Sequence, residues 1–425
     1  MTSHSNLHTM TIPGRIPFTD LVTPHLELQE ELLSVFRTAL RTGTFVGGVL
    51  VEDFERDFAR YCGTRYCVGV SSGTDALTLA LIAAGVMPGD TVLTVPNTFT
   101  ATTDAIFRAG ARPDFIDIDE RTYGMDWLRL NQHLETRCSI DAVTGRLIDS
   151  KTQSPVTAVV PVHLYGQTAN MDPILAISER YHLIVVEEAG WAQGAEYFSN
   201  KENRWKTAGA MGHAAAFSFC PRANLGACGE AGAVTTNDTE LAQEVRRLRD
   251  HYQTSGASRD VEDSRSQLDA IQAGILQIKL AHLADWNKKR RENAFCYHGL
   301  LSSVVDRITI PYEPSWARAV YQAYVICTGH RDELQSYLFA ANIASEIHCP
   351  VPLHLQNAHR ALGYKAGDFP VAEKIASEIL ALPMYPQLEF SQQHRVAQKV
   401  LNFFDQERLT KSGSNTLSGL LPRLV

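Results

Sequence analysis

Two segments of this chain carry small and polar residues that suit the binding of a phosphate-bearing ligand. Residues 71–77 (SSGTDAL) lie between a predicted strand and a predicted helix. A helix N-terminus offers free N–H groups and a positive dipole end, and small residues let a phosphate approach the backbone. An ordinary helix N-cap has the same composition. Residues 217–234 are rich in glycine, which permits close approach of a ligand, although a plain hairpin loop fits equally well.

Carboxylate and imidazole side chains stand at the ends of two other predicted strands. Glu187 and Glu188 end one apolar run, and His163 ends another. Ligands of doubly wound sheets lie beyond the carboxyl ends of the strands, so these groups are placed to meet one. A capping or salt-bridged glutamate and a structural histidine are the alternatives.

The elements that must position these residues alternate between strand and helix. Strands are predicted at 66–70, 91–95, 113–118, 156–162, 183–186, 214–219 and 232–236, with helices at 76–84 and 100–109 between the first three. Such alternation predicts an α/β fold, with a mixed, mostly parallel sheet that has helices on both faces.

A long helical pattern at 268–291 is expected to connect this sheet to a smaller α+β domain. The predicted organisation is an N-terminal arm at 1–16, a large domain at 17–285, a small C-terminal domain at 286–408 and a flexible tail at 409–425.

Composition excludes several classes of protein. Lys and Arg number 39 against 47 Asp and Glu, a net charge of −8, which disfavours nucleic acid as a partner. The eight cysteines form no C-x-x-C pair, and no His, Cys or carboxylate group has metal-ligand spacing, so we expect no metal site. With no signal peptide and no apolar run of spanning length, we expect a cytoplasmic protein that does not enter a membrane.

Taken together, the chain resembles the DegT/DnrJ/EryC1/StrS family of sugar aminotransferases, which are fold-type-I pyridoxal-phosphate enzymes. The resemblance extends from about residue 16 to residue 404. Its segments are GTDAL at 73–77, PGD at 88–90, NTFTAT at 97–102, HLYGQ at 163–167, MDP at 171–173, NLG at 224–226, LDAIQA at 268–273, IHCPVPLH at 347–354 and LPMYP at 382–386.

The resemblance implies a role for each matching residue. Gly73, Thr74 and Ser218 would bind the cofactor phosphate, Phe99 would stack on the pyridine ring, and Glu188 would pair with the pyridinium nitrogen. His163 would lie near the ring and the substrate. The remaining implied contacts are Gln193, Asn224 and Arg265 for the cofactor, and His348 and His354 for the substrate.

The family lysine that forms the Schiff base is replaced by Ala223. Alanine has no amine, so it can neither hold pyridoxal phosphate covalently nor move a proton. Three interpretations are open. Ala223 is an engineered substitution in an aminotransferase, or the chain naturally lacks the lysine and does other chemistry, such as dehydration or cyclisation with His163 as base, or it is a non-catalytic paralogue.

Further departures from the family surround this position. Glu188 replaces the more usual aspartate, Trp191 replaces a small or amide residue, and Arg265 and Gln267 replace an asparagine and an arginine. The resemblance also implies a homodimer with shared active sites, a nucleotide-linked sugar substrate and glutamate as amino donor, with pyridoxamine phosphate carrying the amino group between half-reactions.

Overall fold

A computed structural model describes residues 14–250 and 266–417, with the side chains of these residues up to 406. Among them, no helix is long and apolar enough to cross a membrane. The strands are β1 (Tyr66–Val70), β2 (Thr91–Thr94), β3 (Arg112–Phe115), β4 (Cys138–Ile140), β5 (Leu147–Asp149), β6 (Val156–Val159), β7 (Ile184–Glu188), β8 (Glu196–Ser199), β9 (Arg204–Thr207), β10 (Ala214–Ser218), β11 (Gly232–Thr236), β12 (Ala317–Arg318), β13 (Tyr324–Cys327) and β14 (Ile379–Leu382).

The α-helices connect these strands and cover them. They are α1 (Thr23–Glu27), α2 (Gln29–Thr42), α3 (Val49–Cys62), α4 (Gly73–Ala83), α5 (Thr100–Arg108), α6 (Trp127–Arg137), α7 (Met171–Arg180), α8 (Thr239–Asp250), α9 (Ala270–Leu300), α10 (Arg331–Ala340), α11 (Pro370–Glu378) and α12 (Phe390–Leu417).

The central sheet has seven strands in the order β1-β11-β10-β7-β6-β2-β3. Only β11 runs antiparallel to its neighbours, β1 and β10, while the pairs from β10 to β3 are parallel. All seven strands were predicted from the sequence, and the mixed, mostly parallel sheet is confirmed. Because the parallel strands share a direction, the carboxyl ends of β2, β6, β7 and β10 meet at one edge.

Alternate residues of the strands supply two separate cores. Val68, Val92, Val186 and Ala216 face one core with α4, α5 and α8. Neighbouring positions on the same strands face the opposite side, where α3, α6, α7 and α9 pack. This period-two division explains why helices cover both faces of the sheet.

The 31-residue α9 leads from the large sheet to the C-terminal part of the chain. Its Arg290 is buried and donates to the carbonyl oxygens of Tyr321, Gln322 and Met384. There β13 pairs antiparallel with β14. Helices α10 and α12 pack around a core of this C-terminal part, which is separate from those of the large sheet and also contains Ile16. The end of the predicted N-terminal arm is therefore part of that core, whereas residues 1–13 lie outside the described residues.

The flexible tail expected at 409–425 stays a prediction, although the backbone of its first part is described. Helix α12 continues to Leu417, so the first half of that segment is helical, and 418–425 lie outside the described residues. Val396, Val400 and Phe404 bury one side of α12, and no proline interrupts the helix beyond them. The two domain boundaries remain predictions.

Candidate active site

A cavity of about 210 Å³ lies where the carboxyl ends of β6, β7 and β10 meet the N-terminus of α4. The residues that line it are Ser72, Gly73, Thr74, Leu77, Phe99, Ala101, Thr102, His163, Leu164, Glu188, Gly190, Trp191, Ser218 and Glu230. Six of the residues to which the resemblance assigns a role are in this set, Gly73, Thr74, Phe99, His163, Glu188 and Ser218, and so is Trp191. A larger cavity of about 610 Å³ lies elsewhere, beside the start of β7 at Ile184 and Val185.

The N-terminus of α4 forms one wall of the smaller cavity. Ser72 is the N-cap, and its Oγ accepts the N–H of Asp75 at 3.1 Å. A Cβ on Gly73 would lie 2.5 Å from the Cβ of Ser218, so only glycine lets α4 approach β10 this closely. The first-turn N–H groups and the hydroxyls of Thr74 and Ser218 form a cup suited to a phosphate.

Glu188 presents its carboxylate to the cavity. Its Oε1 accepts the N–H of Gly190 at 3.0 Å, and a Cβ on Gly190 would lie only 2.6 Å from that oxygen. Burial raises the pKa of Glu188, and the Gly190 N–H offsets only part of that shift. A cation-bearing ligand group would relieve this unfavourable burial. Gly190 thus makes room for the longer glutamate, a requirement that the sequence alone did not reveal.

Glu187, the other member of the acidic pair, serves the scaffold. Its carboxylate is fully buried and accepts the N–H groups of Gly209, Met211 and Gly212 at 2.9, 2.7 and 2.7 Å. Burial alone would raise the pKa of Glu187, but the hydrogen bond from His163 and the backbone donors outweigh it and hold that pKa below its usual range.

Both ring nitrogens of His163 are occupied. Nδ1 accepts the N–H of Ala169 at 3.0 Å, so Nε2 carries the proton and donates to Glu187 at 2.8 Å. The ring lines the cavity but is 1% exposed. With no free nitrogen, His163 offers a packing surface to a ligand, and the interpretation that makes it a catalytic base loses support.

Aromatic rings narrow the cavity. The ring centroids of Phe99 and Trp191 are 4.3 Å apart, and the His348 ring lies 5.5 Å from Trp191 and 6.4 Å from Phe99. The buried Nε2 of His348 has no hydrogen-bond partner. A ligand ring stacked on Phe99 must therefore share that ring with Trp191. The substrate role of His348 stays a prediction.

Ala223 does not line this cavity. It borders a separate space of about 40 Å³ together with Arg222, His25 and Lys279. The Nζ of Lys279 is committed to the Gly226 carbonyl at 2.7 Å and to His25 at 2.8 Å. No lysine is present among the fourteen residues that line the candidate cavity of about 210 Å³, so the described site contains no amine in place of the family lysine.

Three other residues singled out from the sequence lie behind or away from the cavity. Gln193 is fully buried and donates to the carbonyls of Gly190 and Ser218, so it braces the two loops. Asn224 donates to Asn287 on α9. His354 bonds Glu373 and packs its ring against Phe369, so these contacts give it a structural role, and its implied substrate role stays a prediction. Arg265 lies outside the described residues.

Comparison with known proteins identifies relatives along nearly the whole chain. The model of the DegT/DnrJ/EryC1/StrS aminotransferase family matches residues 26–401. A Geobacillus stearothermophilus protein named pleiotropic regulatory protein is 40% identical over 390 residues, which are 92% of this chain and 98% of that protein. A Streptomyces venezuelae dTDP-3-amino-3,4,6-trideoxy-alpha-D-glucose transaminase is 37% identical over 386 residues, covering 91% and 95%.

Solved structures show the same fold. The S. venezuelae protein DesV, in complex with a ketimine intermediate, superposes with a TM-score of 0.81 at 36% identity and covers 92% of this chain and 98% of its own. A DegT/DnrJ/EryC1/StrS aminotransferase from Brucella abortus gives the same TM-score at 31% identity, with coverage of 91% and 99%.

Replacing Gly190 with alanine is expected to weaken binding of pyridoxamine phosphate roughly tenfold or more, because the new Cβ displaces the Glu188 carboxylate. Isothermal titration calorimetry measures the affinity. Adding Glu188→Asp to Gly190→Ala shortens the carboxylate and should recover much of the loss. Gly299→Ala is the control, since a Cβ there meets nothing within 4 Å. Equal affinity in Gly190→Ala and the parent would contradict the account.

His348 is expected to make the fold sensitive to acid. Burial lowers the pKa of His348 to about 4 from its ordinary value of 6.5. Because the folded pKa is the lower one, stability is complete above about pH 6.5 and falls between 6.5 and 4, by up to about 3 kcal/mol. His348→Gln should therefore flatten the fall in the urea unfolding midpoint between pH 7 and pH 4.5. The prediction is wrong if the urea unfolding midpoint of His348→Gln falls as steeply between pH 7 and pH 4.5 as that of the parent.

The residues present fit pyridoxal phosphate. The N-terminus of α4 supplies the phosphate cup, and Glu188 supplies a buried carboxylate that needs a cationic partner. Phe99 and Trp191 supply aromatic surfaces for the cofactor ring, and the cavity that they line has a volume of about 210 Å³. With the match across the chain and the shared fold, the protein belongs to the DegT/DnrJ/EryC1/StrS aminotransferase family, whose members are pyridoxal-phosphate enzymes.

Proposed function

We propose that this chain is a nucleotide-sugar aminotransferase in a lysine-free form, which binds its cofactor and substrate without covalent attachment. One observation carries the proposal. The phosphate cup and the Glu188 carboxylate are in place, yet the lysine position is Ala223 and no lysine borders the cavity. On this proposal, the site has the groups that bind the cofactor and lacks the group that transfers protons.

The chain's own residues account for binding. Gly73, Thr74 and Ser218 would hold a phosphate through N–H and hydroxyl groups, at the positive end of the α4 dipole. Glu188 would pair with a protonated ring nitrogen. When bound, pyridoxal phosphate supplies an electron sink and a carrier for the amino group.

Proton movement is the step that the chain cannot perform. The Ala223 methyl has no acidic or basic atom, and the two nitrogens of His163 are engaged with Ala169 and Glu187. A positioned proton-transfer group is worth about 10²–10⁴-fold in rate. We therefore expect bound cofactor and bound sugar with very slow amino transfer.

The substrate class is proposed from relatives that match most of the chain. One is the S. venezuelae transaminase of a dTDP-sugar, and another, at 36% identity over 390 residues, is an Acidithiobacillus ferrooxidans UDP-N-acetyl-3-dehydro-alpha-D-glucosamine 3-aminotransferase. We propose a keto group of a nucleotide-linked sugar as acceptor and glutamate as amino donor.

A non-catalytic, ligand-binding role is the second candidate. Ala223 favours it, and so do the names of two relatives, the pleiotropic regulatory protein of G. stearothermophilus and the Saccharopolyspora erythraea erythromycin biosynthesis sensory transduction protein. Dehydration with His163 as base is not proposed, because neither nitrogen of that ring is free.

We also propose a homodimer. Helices α1 and α2, the turn after α2 and the start of α3 expose a run of large apolar side chains, whereas isolated apolar side chains are ordinary on a surface. The run consists of Leu26, Leu33, Phe36, Leu40, Phe45, Val46 and Val49, each at least 40% exposed. A second copy of the chain that covers this patch would bury it and bring two sites together.

The substitution Ala223→Lys tests the aminotransferase proposal. We expect it to raise amino transfer from glutamate to a 3-keto nucleotide sugar by roughly 10²-fold or more, since it restores the proton carrier. Transfer is followed by mass spectrometry of the aminated sugar. Ala223→Met, which has similar length and no amine, is the matched control and should remain at the parent's rate. No gain with any keto sugar, despite cofactor binding, would favour the ligand-binding role.

Changing Phe36→Glu is expected to convert the dimer to monomers, because it places a charge in the apolar contact. Sedimentation velocity measures the mass of parent and variant. Phe339→Glu is the control, as Phe339 is an exposed phenylalanine on α10, which packs on α12. A parent that sediments as a monomer at micromolar concentration would rule the homodimer out.

A further inference from the structure

Four side chains outside the candidate active site converge beside α6 and the β4–β5 hairpin. His133 lies on α6, Cys138 begins β4, Asp149 ends β5, and Asp114 lies on β3. The ligand atoms of His133, Cys138 and Asp149 all lie within 4.8 Å of one another. His133 Nε2 is 3.7 Å from Asp114 Oδ2 and 4.0 Å from Asp149 Oδ2.

In Asp114 and Asp149, Oδ1 accepts hydrogen bonds from neighbouring groups, whereas Oδ2 lies near His133. Asp149 Oδ1 accepts the N–H groups of Lys151 and Thr152, each at 2.8 Å. Asp114 Oδ1 accepts the Tyr364 hydroxyl. Both Oδ2 atoms lie within about 4 Å of His133 Nε2, and donors that hold the other oxygen of a carboxylate orient it as a metal ligand.

His133 provides an independent sign that a ligand belongs at this place. Its side chain is 9% exposed, and Nε2 is buried with no hydrogen-bond partner. An unpaired ring nitrogen is costly in a protein interior.

We propose that His133, Cys138, Asp149 and Asp114 form a binding site for one divalent metal ion of the zinc type. Tetrahedral zinc with bonds of about 2.0–2.3 Å requires ligand atoms about 3.3–3.8 Å apart, close to the separations of the His133 nitrogen and the two Oδ2 atoms. Mixed nitrogen, sulfur and oxygen donors select zinc over magnesium or calcium.

The guanidinium of Arg137 would compete with a metal ion for the carboxylates of Asp114 and Asp149. Its Nη2 lies 3.2 Å from Asp114 Oδ2 and 2.8 Å from Asp149 Oδ2, so the guanidinium balances the carboxylates when no metal is bound. The side chain is 31% exposed and can turn toward solvent. The ion would tie α6, the β4–β5 hairpin and β3 together, which is a structural role separate from the cofactor cavity.

Metal binding to the full-length protein tests the proposal. After treatment with EDTA and desalting, the chain is titrated with Co²⁺, and we expect one equivalent to bind with a thiolate charge-transfer band in the near ultraviolet. Cys138→Ser should abolish that band, whereas Cys228→Ser, which changes an exposed cysteine, should keep it. Zn²⁺ should displace the Co²⁺.

Three further variants sharpen the result. His133→Ala and Asp149→Asn should each weaken Zn²⁺ binding at least about tenfold, measured by competition with a chromogenic chelator. Arg137→Gln should strengthen it, because it removes the competing cation. The proposal is overturned if the parent binds no stoichiometric Co²⁺ or Zn²⁺, or if its affinity is unchanged in both His133→Ala and Asp149→Asn.

Discussion

A single buried carboxylate, that of Glu187, links three segments of the central sheet: β7, the loop before β10 and the segment after β6. It receives three backbone N–H groups from residues 209–212, just before β10, and the Nε2 proton of His163 at the end of β6. A buried charge is tolerated only when it is hydrogen-bonded this completely. Because these contacts fix three strand ends relative to one another, Glu188 next in the chain is held facing the cavity.

The sequence predicted the framework well and the site only in part. Strand–helix alternation suffices to place seven sheet strands, since each is a short apolar run between breakers. The resemblance singled out Glu188 of the acidic pair for the ligand, but the scaffold role of Glu187 was not predicted, because that role depends on contacts with residues 209–212. The engagement of His163 with Ala169, and the approach of His133 to Asp149, likewise arise from tertiary folding. Arg265 lies outside the described residues, so its role stays a prediction.

Two residues that depart from the family pattern, Glu188 and Trp191, are accommodated by their neighbours around the cavity. Glu188 is one methylene longer than the usual aspartate, and Gly190 leaves the space for it. Trp191 packs on Phe99 and narrows the opening. These residues provide a carboxylate and ring surfaces for a ligand, and we propose that Ala223 stands in place of the family lysine. On that proposal, noncovalent contacts provide the whole affinity for the cofactor.

Calorimetric titration of pyridoxal phosphate into the unmodified protein tests this central claim most directly. We predict one molecule bound per chain, with binding that Glu188→Gln weakens and that borohydride treatment does not convert to a covalent link. Absence of binding at millimolar ligand, or a cofactor fixed by borohydride to a lysine in the cavity region, would contradict the account.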